Sequence, residues 1–416
     1  MVDLLQPDVF KLISIPAIAA LVGWSTNWLA IKLMFYPLNF VGYYPLRLGW
    51  QGVIPSKAEN MAKIVVDKGL NSLTDVSEVY QTIDQEALSA QLEKILKRHM
   101  IEFVDDLMMQ DSNTYWENLP IEIQNAFYQR CYDEIPKRLQ SSVVNIGDGI
   151  EDLVDFESLV AGILTANKSL LNEFFLEAGS KEFKFIVKSG LYFGFLFGIV
   201  QMMVWAAYPV WWVLPLFGFV VGYATNLIAL KIIFYPVNPI KIGPFTLQGL
   251  FLKRQKDVSV VLSRMTSEKI LTVNNILGSM LNGPKSERAE KMLSLEVRQS
   301  IDVAVSWGKG LGKYLVLVVV GAERYRNMKL NAVDLAWRYS SDWIDGYDLS
   351  SAQAPFVGKL LSTRMQALSP GEFREILRPA FQEDEWKLIL VGAFLGACAG
   401  CIQLFGFYGH MLELSM

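Results

Sequence analysis

The sequence predicts an all-α integral membrane protein. It should have four transmembrane helices, laid out as two parallel span–segment–span repeats with large helical cytoplasmic segments. Three observations predict this. Of 416 residues, 52% are hydrophobic and 19% charged, and mean hydropathy is +0.27; average soluble domains carry about 25% charged residues. Four apolar stretches each approach the roughly 20 residues that cross a hydrocarbon core. A motif in the first stretch recurs in the third, 199 positions further on.

The elements follow in chain order. Residues 10–36 form the first span. Asp3, Asp8 and the single Lys11 make a poor basic region for a signal peptide. No small-residue cleavage site follows the apolar core, so the segment reads as an uncleaved anchor. Residues 37–185 are the first cytoplasmic segment, and 186–205 the second span. Residues 206–212 are an outer hairpin turn, crowded by Trp205, Tyr208, Trp211 and Trp212 as in an interfacial aromatic belt. Residues 213–235 form the third span, 236–387 the second cytoplasmic segment and 388–407 the fourth span. The span ends facing the long segments carry Arg47, Lys57, Lys181, Lys184, Lys188, Lys241, Lys253, Arg254, Lys256 and Lys387, and the other side only Lys11. Positive charge marks the inside, so both long segments should be cytoplasmic and both termini outside.

The repeat is explicit. GWSTNWLAIKLMFYPLN (23–39) and GYATNLIALKIIFYPVN (222–238) share nine of 17 residues, and Gln51-Gly52 answers Gln248-Gly249. In the second and fourth spans Gly190, Gly194, Gly198 and Gln201 match Gly392, Gly396, Gly400 and Gln403, both reading G-x-x-x-G-x-x-x-G-x-x-Q. Glycines four apart make a smooth helix stripe that lets another backbone approach. Gly23 and Gly222 belong to complementary small-residue stripes, so each unit's two spans should pack stripe on stripe. Asn27 and Asn226 should then bond across the crossing, at the level of Phe193 in the first unit.

Lys32 and Lys231 lie just inside Pro37 and Pro236, which end the spans because proline lacks the N–H and clashes with the preceding turn. The preferred reading of the lysines is snorkelling to cytoplasmic headgroups, with a paired cationic site for an anion as the alternative. Thr26, Asn27, Lys32, Pro37, Thr225, Asn226, Lys231 and Pro236 are therefore the candidate functional residues, with the asparagines preferred as helix glue. Segments 38–56 and 237–252 read as an ordered re-entry along the headgroups.

Segment 57–185 reads as helices, including 85–108 and 113–139 with Pro120 and Pro136 as interruptions. Segment 254–385 shows helical patterns near 256–271, 286–306 and 353–367, and residues 315–322 read as a short buried helix, with an interfacial helix as the alternative. No run of alternating strands stands out. Residues 37–185 carry 13 Lys+Arg and 23 Asp+Glu, and residues 236–387 carry 21 and 16. Halves of opposite sign could pair with each other, the basic half could lie on anionic lipid, or both could be solvated surface with no partner.

Several chemistries find no support. A net charge of −4 gives no case for nucleic acid. Three Cys and two His exclude a disulfide framework and disfavour zinc. Cys398 and Cys401 form C-x-x-C inside a glycine-striped span, where small residues suit packing. No P-loop, G-x-S-x-G or H-E-x-x-H occurs. The expectation is no cofactor, no metal and no enzyme.

The G-x-x-T-N-x-x-A-x-K-x-x-F-x-P motif from Gly23 and again from Gly222, with Gln51-Gly52-Val53-Ile54-Pro55 and the closing glycine stripe, resembles the bacterial membrane family called domain of unknown function four-four-five. Leu252 stands where Pro55 would be, so the second loop need not repeat the first. The resemblance implies a multi-pass bacterial plasma (inner) membrane protein with helical cytoplasmic domains, and brings no activity with it. The leading expectation is a membrane-anchored scaffold or interaction protein. A small transporter or channel on the paired Asn/Lys motif, and lipid handling at the membrane surface, are the alternatives. Expected partners are membrane lipids, a protein bound through the cytoplasmic segments and a second copy of the chain.

Overall fold

The computed structural model describes residues 6–43, 48–306, 313–314, 317–318, 320–382 and 385–408. It is mostly helical, and it divides into two compact units. One unit comprises residues 1–69, 164–262 and 364–416, the other residues 70–163 and 263–363. The middles of both long polar segments thus fold together into one unit, and their flanks belong with the apolar helices.

The first unit holds four helices long and apolar enough to cross a membrane: Gln6–Phe35, Ser180–Ala207, Val213–Phe234 and Glu385–Tyr408. The first helix packs on the second and the third on the fourth. Glycine makes this possible. A Cβ built on Gly23 would lie 2.3 Å from the Gly190 oxygen, and one on Gly222 2.1 Å from the Gly392 oxygen. Gly194 meets Ala19 and Ala20, Gly198 meets Pro16, Gly396 meets Gly218 and Gly400 meets Leu214. Ile15, Trp205, Val213, Leu214 and Leu404 form a buried cluster near the turn that joins the second and third helices. Trp205 therefore belongs to the core rather than to an aromatic belt, whereas Tyr208, Trp211 and Trp212 are exposed.

The all-α expectation needs one amendment. After Phe35 and after Phe234 the chain forms a two-stranded antiparallel hairpin. Strand β1 (Val41–Tyr43) pairs with β2 (Leu48–Trp50), and β3 (Ile240–Ile242) with β4 (Phe245–Leu247). Strands of three residues are too short to show alternation in a sequence. Each hairpin is closed in the same way. The Gly52 N–H donates to the Pro37 oxygen and the Gly249 N–H to the Pro236 oxygen, both at 2.9 Å. Gln51 and Gln248 donate their amides to Leu38 and Val237 oxygens. A one-turn helix follows in both copies, Val53–Ser56 and Leu250–Lys253, so Leu252 in place of Pro55 leaves the loop geometry unchanged.

In the second unit, Asp84 caps the Gln85–Glu117 helix by accepting from the Ala87 N–H. The next helix, Ile121–Asp148, starts after Pro120 and runs through Pro136 without a break, against expectation. Helices Ser286–Val305 and Ala354–Ala367 lie close to where periodicity puts them. Of residues 315–322, the positions 315, 316 and 319 lie outside the described residues; Leu317 packs against the Leu107, Val305 and Tyr325 cluster.

Polar contacts join the two segments within this unit, with ion pairs of both senses, since Arg138 of the first lies 3.9 Å from Glu296 of the second. Arg288 pairs with Asp152, the Lys285 amine donates to the Glu151 oxygen, and Tyr339 donates to Asp106 at 2.6 Å. Asp302 accepts from Lys313, Lys329 and Tyr325 at 2.6–2.8 Å. Burial alone would raise its carboxyl, but these three donors outweigh burial and hold it at about 2. This stabilisation is complete above the unfolded value near 4 and is lost as pH falls towards 2, amounting to about 1 kcal/mol after solvent screening. Asp302→Asn should flatten the acid limb of unfolding across that window; an unchanged limb by circular dichroism would refute the assignment.

Candidate functional site

The residues singled out by sequence fall into two pairs of helices. The Asn27 amide donates to the Ile186 oxygen at 2.8 Å, and the Asn226 amide to the Leu388 oxygen at 2.9 Å. Each asparagine thus ties one apolar helix to its partner. The carbonyl that Asn27 bonds lies about two turns nearer the start of the second helix than the level of Phe193 expected for it, with Gly23 against Gly190 one turn away. Thr26 and Thr225 bond backward to carbonyls of their own helices and are buried. The Lys32 amine lies 5.0 Å over the Trp28 ring on the same helix, and Lys231 is exposed. Gln201 and Gln403 are buried, and the Gln403 Nε2 has no hydrogen-bond partner.

A cavity of about 20 Å³ lies between Asn27, Asn226, Phe183, Leu230 and Leu388. That is room for roughly one water. The Asn27 Oδ1 is buried without a hydrogen-bond partner. Each of the paired asparagines is thus engaged in an inter-helix hydrogen bond. Asn226→Ala should cost about 1–2 kcal/mol of unfolding free energy in detergent, and Asn27→Ala less, because its orphaned oxygen is removed with it. Equal losses would count against this reading.

The site that sequence reasoning missed is in the second unit. A partly open cavity of about 410 Å³ is lined by helices Gln85–Glu117, Ile121–Asp148, Val273–Asn282, Ser286–Val305 and Ala322–Gly346. The volume falls in the range of about 300–1,000 Å³ typical of small-molecule sites. Its walls include Leu96, Met100, Phe103, Leu293, Ile301 and Trp343. Leu92, Leu96, Met292, Leu293, Val297 and Ile301 are only half-buried, as befits side chains facing a space rather than a closed core. Burial pushes the lining Cys131 thiol up to about 11, with the Arg130 charge opposing, so it stays neutral. Polar groups are few. Arg138 lies 3.9 Å from the Glu296 carboxylate and donates to Gln299, and Glu134 also reaches the wall. Among the described residues no three His, Cys, Asp or Glu side chains are grouped to hold a metal ion. The arrangement suits a long apolar group with a small polar end.

In sequence these wall residues are indistinguishable from ordinary core positions. Leu92, Ile95, Leu96, Phe103, Leu107 and Met108 recur at three and four, as any buried helix face does. Only the spacing of five helices leaves the space open.

No family model, no curated protein and no solved structure matches the chain. Fold and site define a multi-pass, largely helical protein with four candidate membrane-spanning helices. Its second unit carries an apolar cavity of ligand size.

Proposed function

We propose that the protein handles lipid: the second unit takes up the hydrocarbon chain of a membrane lipid at the cytoplasmic surface of a bacterial inner membrane. The observation that carries this reading is the apolar cavity of about 410 Å³ in a chain that also has four helices apolar enough to cross a bilayer. Such helices give the chain a constant supply of hydrocarbon. A lipid chain in a bilayer is already out of water, so moving it into an apolar cavity has a net free energy near zero. Occupancy then depends on fit and on the few polar groups at the wall, which suits exchange better than storage. The cavity favours lipid handling over the scaffold and transporter readings, for which the space has no use.

The wider frame belongs to the same proposal. The matched glycine approaches, asparagine bonds and hairpins support two parallel copies of a span–segment–span module. The lysine and arginine bias supports cytoplasmic placement of both long segments, with both termini outside. The motif residues support kinship with the family called domain of unknown function four-four-five, and no catalytic role is assigned.

The test uses a photoactivatable diazirine fatty acid with the purified full chain. Adducts should concentrate on peptides within residues 92–108 and 292–304. Labelling there no stronger than on the outward faces of the same helices would overturn the proposal. Labelling of the four apolar helices serves as the internal reference.

A further inference from the structure

A second feature does not depend on the cavity. Tyr235 follows directly on the last residue of the Val213–Phe234 helix. The guanidinium of Arg374 lies 5.6 Å from the centre of its ring and that of Arg378 4.9 Å, and Arg378 also donates to the Tyr235 hydroxyl. The two arginines are one helical turn apart at the end of the Pro370–Leu377 helix. Lys231 is one turn before Tyr235 and exposed. Glu385 is within electrostatic range of both Arg378 and Lys231, so these two cations lie near each other.

Like charges at this helical spacing repel each other. A phenol ring offsets part of that through its electron-rich face. Yet two arginines offer about ten N–H donors, and both Nε groups are buried with no acceptor. Among the described residues no carboxylate lies within ion-pair distance of either guanidinium. Glu372 is instead engaged by the backbone N–H of Ser369, in a capping box.

The first copy shows that the fold does not require cations here. At the spacing of 202 that aligns the glycine stripes, Asn172 and Leu176 stand where Arg374 and Arg378 are. Asn172 donates to the Phe35 oxygen at 2.6 Å, next to Tyr36, the counterpart of Tyr235. A neutral side chain completes the joint in one copy, and a doubled guanidinium replaces it in the other.

We propose that Arg374, Arg378 and Lys231, arranged around Tyr235, form a site for a phosphate group at headgroup depth, presented by an anionic phospholipid. Guanidinium forks match phosphate oxygens in pairs. The depth is marked by Trp386 and Lys387 at the start of the fourth apolar helix, the Lys387 amine 5.8 Å from the exposed Trp386 ring, an interfacial pairing.

The experiment is native mass spectrometry on the full chain in detergent. It is titrated separately with dioctanoyl phosphatidylglycerol, dioctanoyl phosphatidylcholine and inorganic phosphate. The anionic lipid should bind at least about tenfold more tightly than the zwitterionic one, and more weakly as salt rises. The double variant Arg374→Asn, Arg378→Leu borrows the residues of the first copy, and should lose that preference while keeping the wild-type thermal midpoint. Arg374→Lys with Arg378→Lys should retain part of it. Inorganic phosphate binding as tightly as the lipid would keep the site and assign it to the free anion. A preference that persists in the folded double variant overturns the proposal. So does the absence of any preference in the wild type. Cavity labelling by the fatty acid should be the same in all variants, so the two proposals fail separately.

Discussion

Ala304→Phe is expected to abolish labelling of the cavity by a photoactivatable fatty acid, and to leave the thermal midpoint of the protein unchanged or raised. Ala304 lines the cavity and is buried. In a close-packed core, adding this much volume costs about 1–3 kcal/mol through off-rotamer side chains and backbone shifts. Beside an open space it removes a void instead, and filling voids commonly stabilises by about 0.5–2 kcal/mol. The paired result is therefore diagnostic. Lost labelling with retained stability means that the space is real and is where the chain binds. Retained labelling would place the lipid elsewhere and end the proposal. Lost stability would mean that the cavity closes in solution, and the proposal would fall with it. Ala336→Phe on the Ala322–Gly346 helix should behave in the same way, because Ala336 also lines the space.

Gly222→Ala is expected to be among the most damaging single-methyl changes in the protein. Its Cβ would lie 2.1 Å from the Gly392 oxygen and 2.8 Å from the Gly392 carbon. Both are backbone atoms, so no side-chain rotation relieves the overlap. The two helices must move apart, which weakens the whole row of contacts from Gly218 to Gly400 and strains the Asn226 bond to Leu388. Between apolar helices packing is the main attraction, so the loss should reach about 2–4 kcal/mol. Gly162→Ala is the control. It sits in the Phe156–Ala166 helix, and a Cβ there meets nothing within 4 Å. It should stabilise by about 0.5–1 kcal/mol through helix propensity alone. Unfolding in graded denaturing detergent compares the two, and a Gly222→Ala midpoint no lower than that of Gly162→Ala would sink the argument.

The four apolar helices were legible because hydrophobicity over about 20 residues is a local property. The glycine stripes were legible because a period of four is visible in one dimension. The depth at which Asn27 bonds was not, since it depends on how far two helices slide before Gly23 and Gly190 touch. Pro136 misled for a related reason: the helix from Ile121 to Asp148 is held by its surroundings, and local propensity is a weak prior against that. The hairpins at Val41–Trp50 and Ile240–Leu247 escaped because three-residue strands carry too little pattern.

The sequence by itself determined that four long apolar helices form, that a motif is duplicated, and that the two polar segments carry opposite charge. Each of these is written in the order of neighbouring residues. Tertiary structure alone decided that those segments combine into one unit, that the unit leaves an apolar space among five helices, and that Arg374 and Arg378 meet on Tyr235. These outcomes join residues far apart in the chain, and a void or a charge cluster arises from how packed surfaces fit, which composition and spacing do not encode.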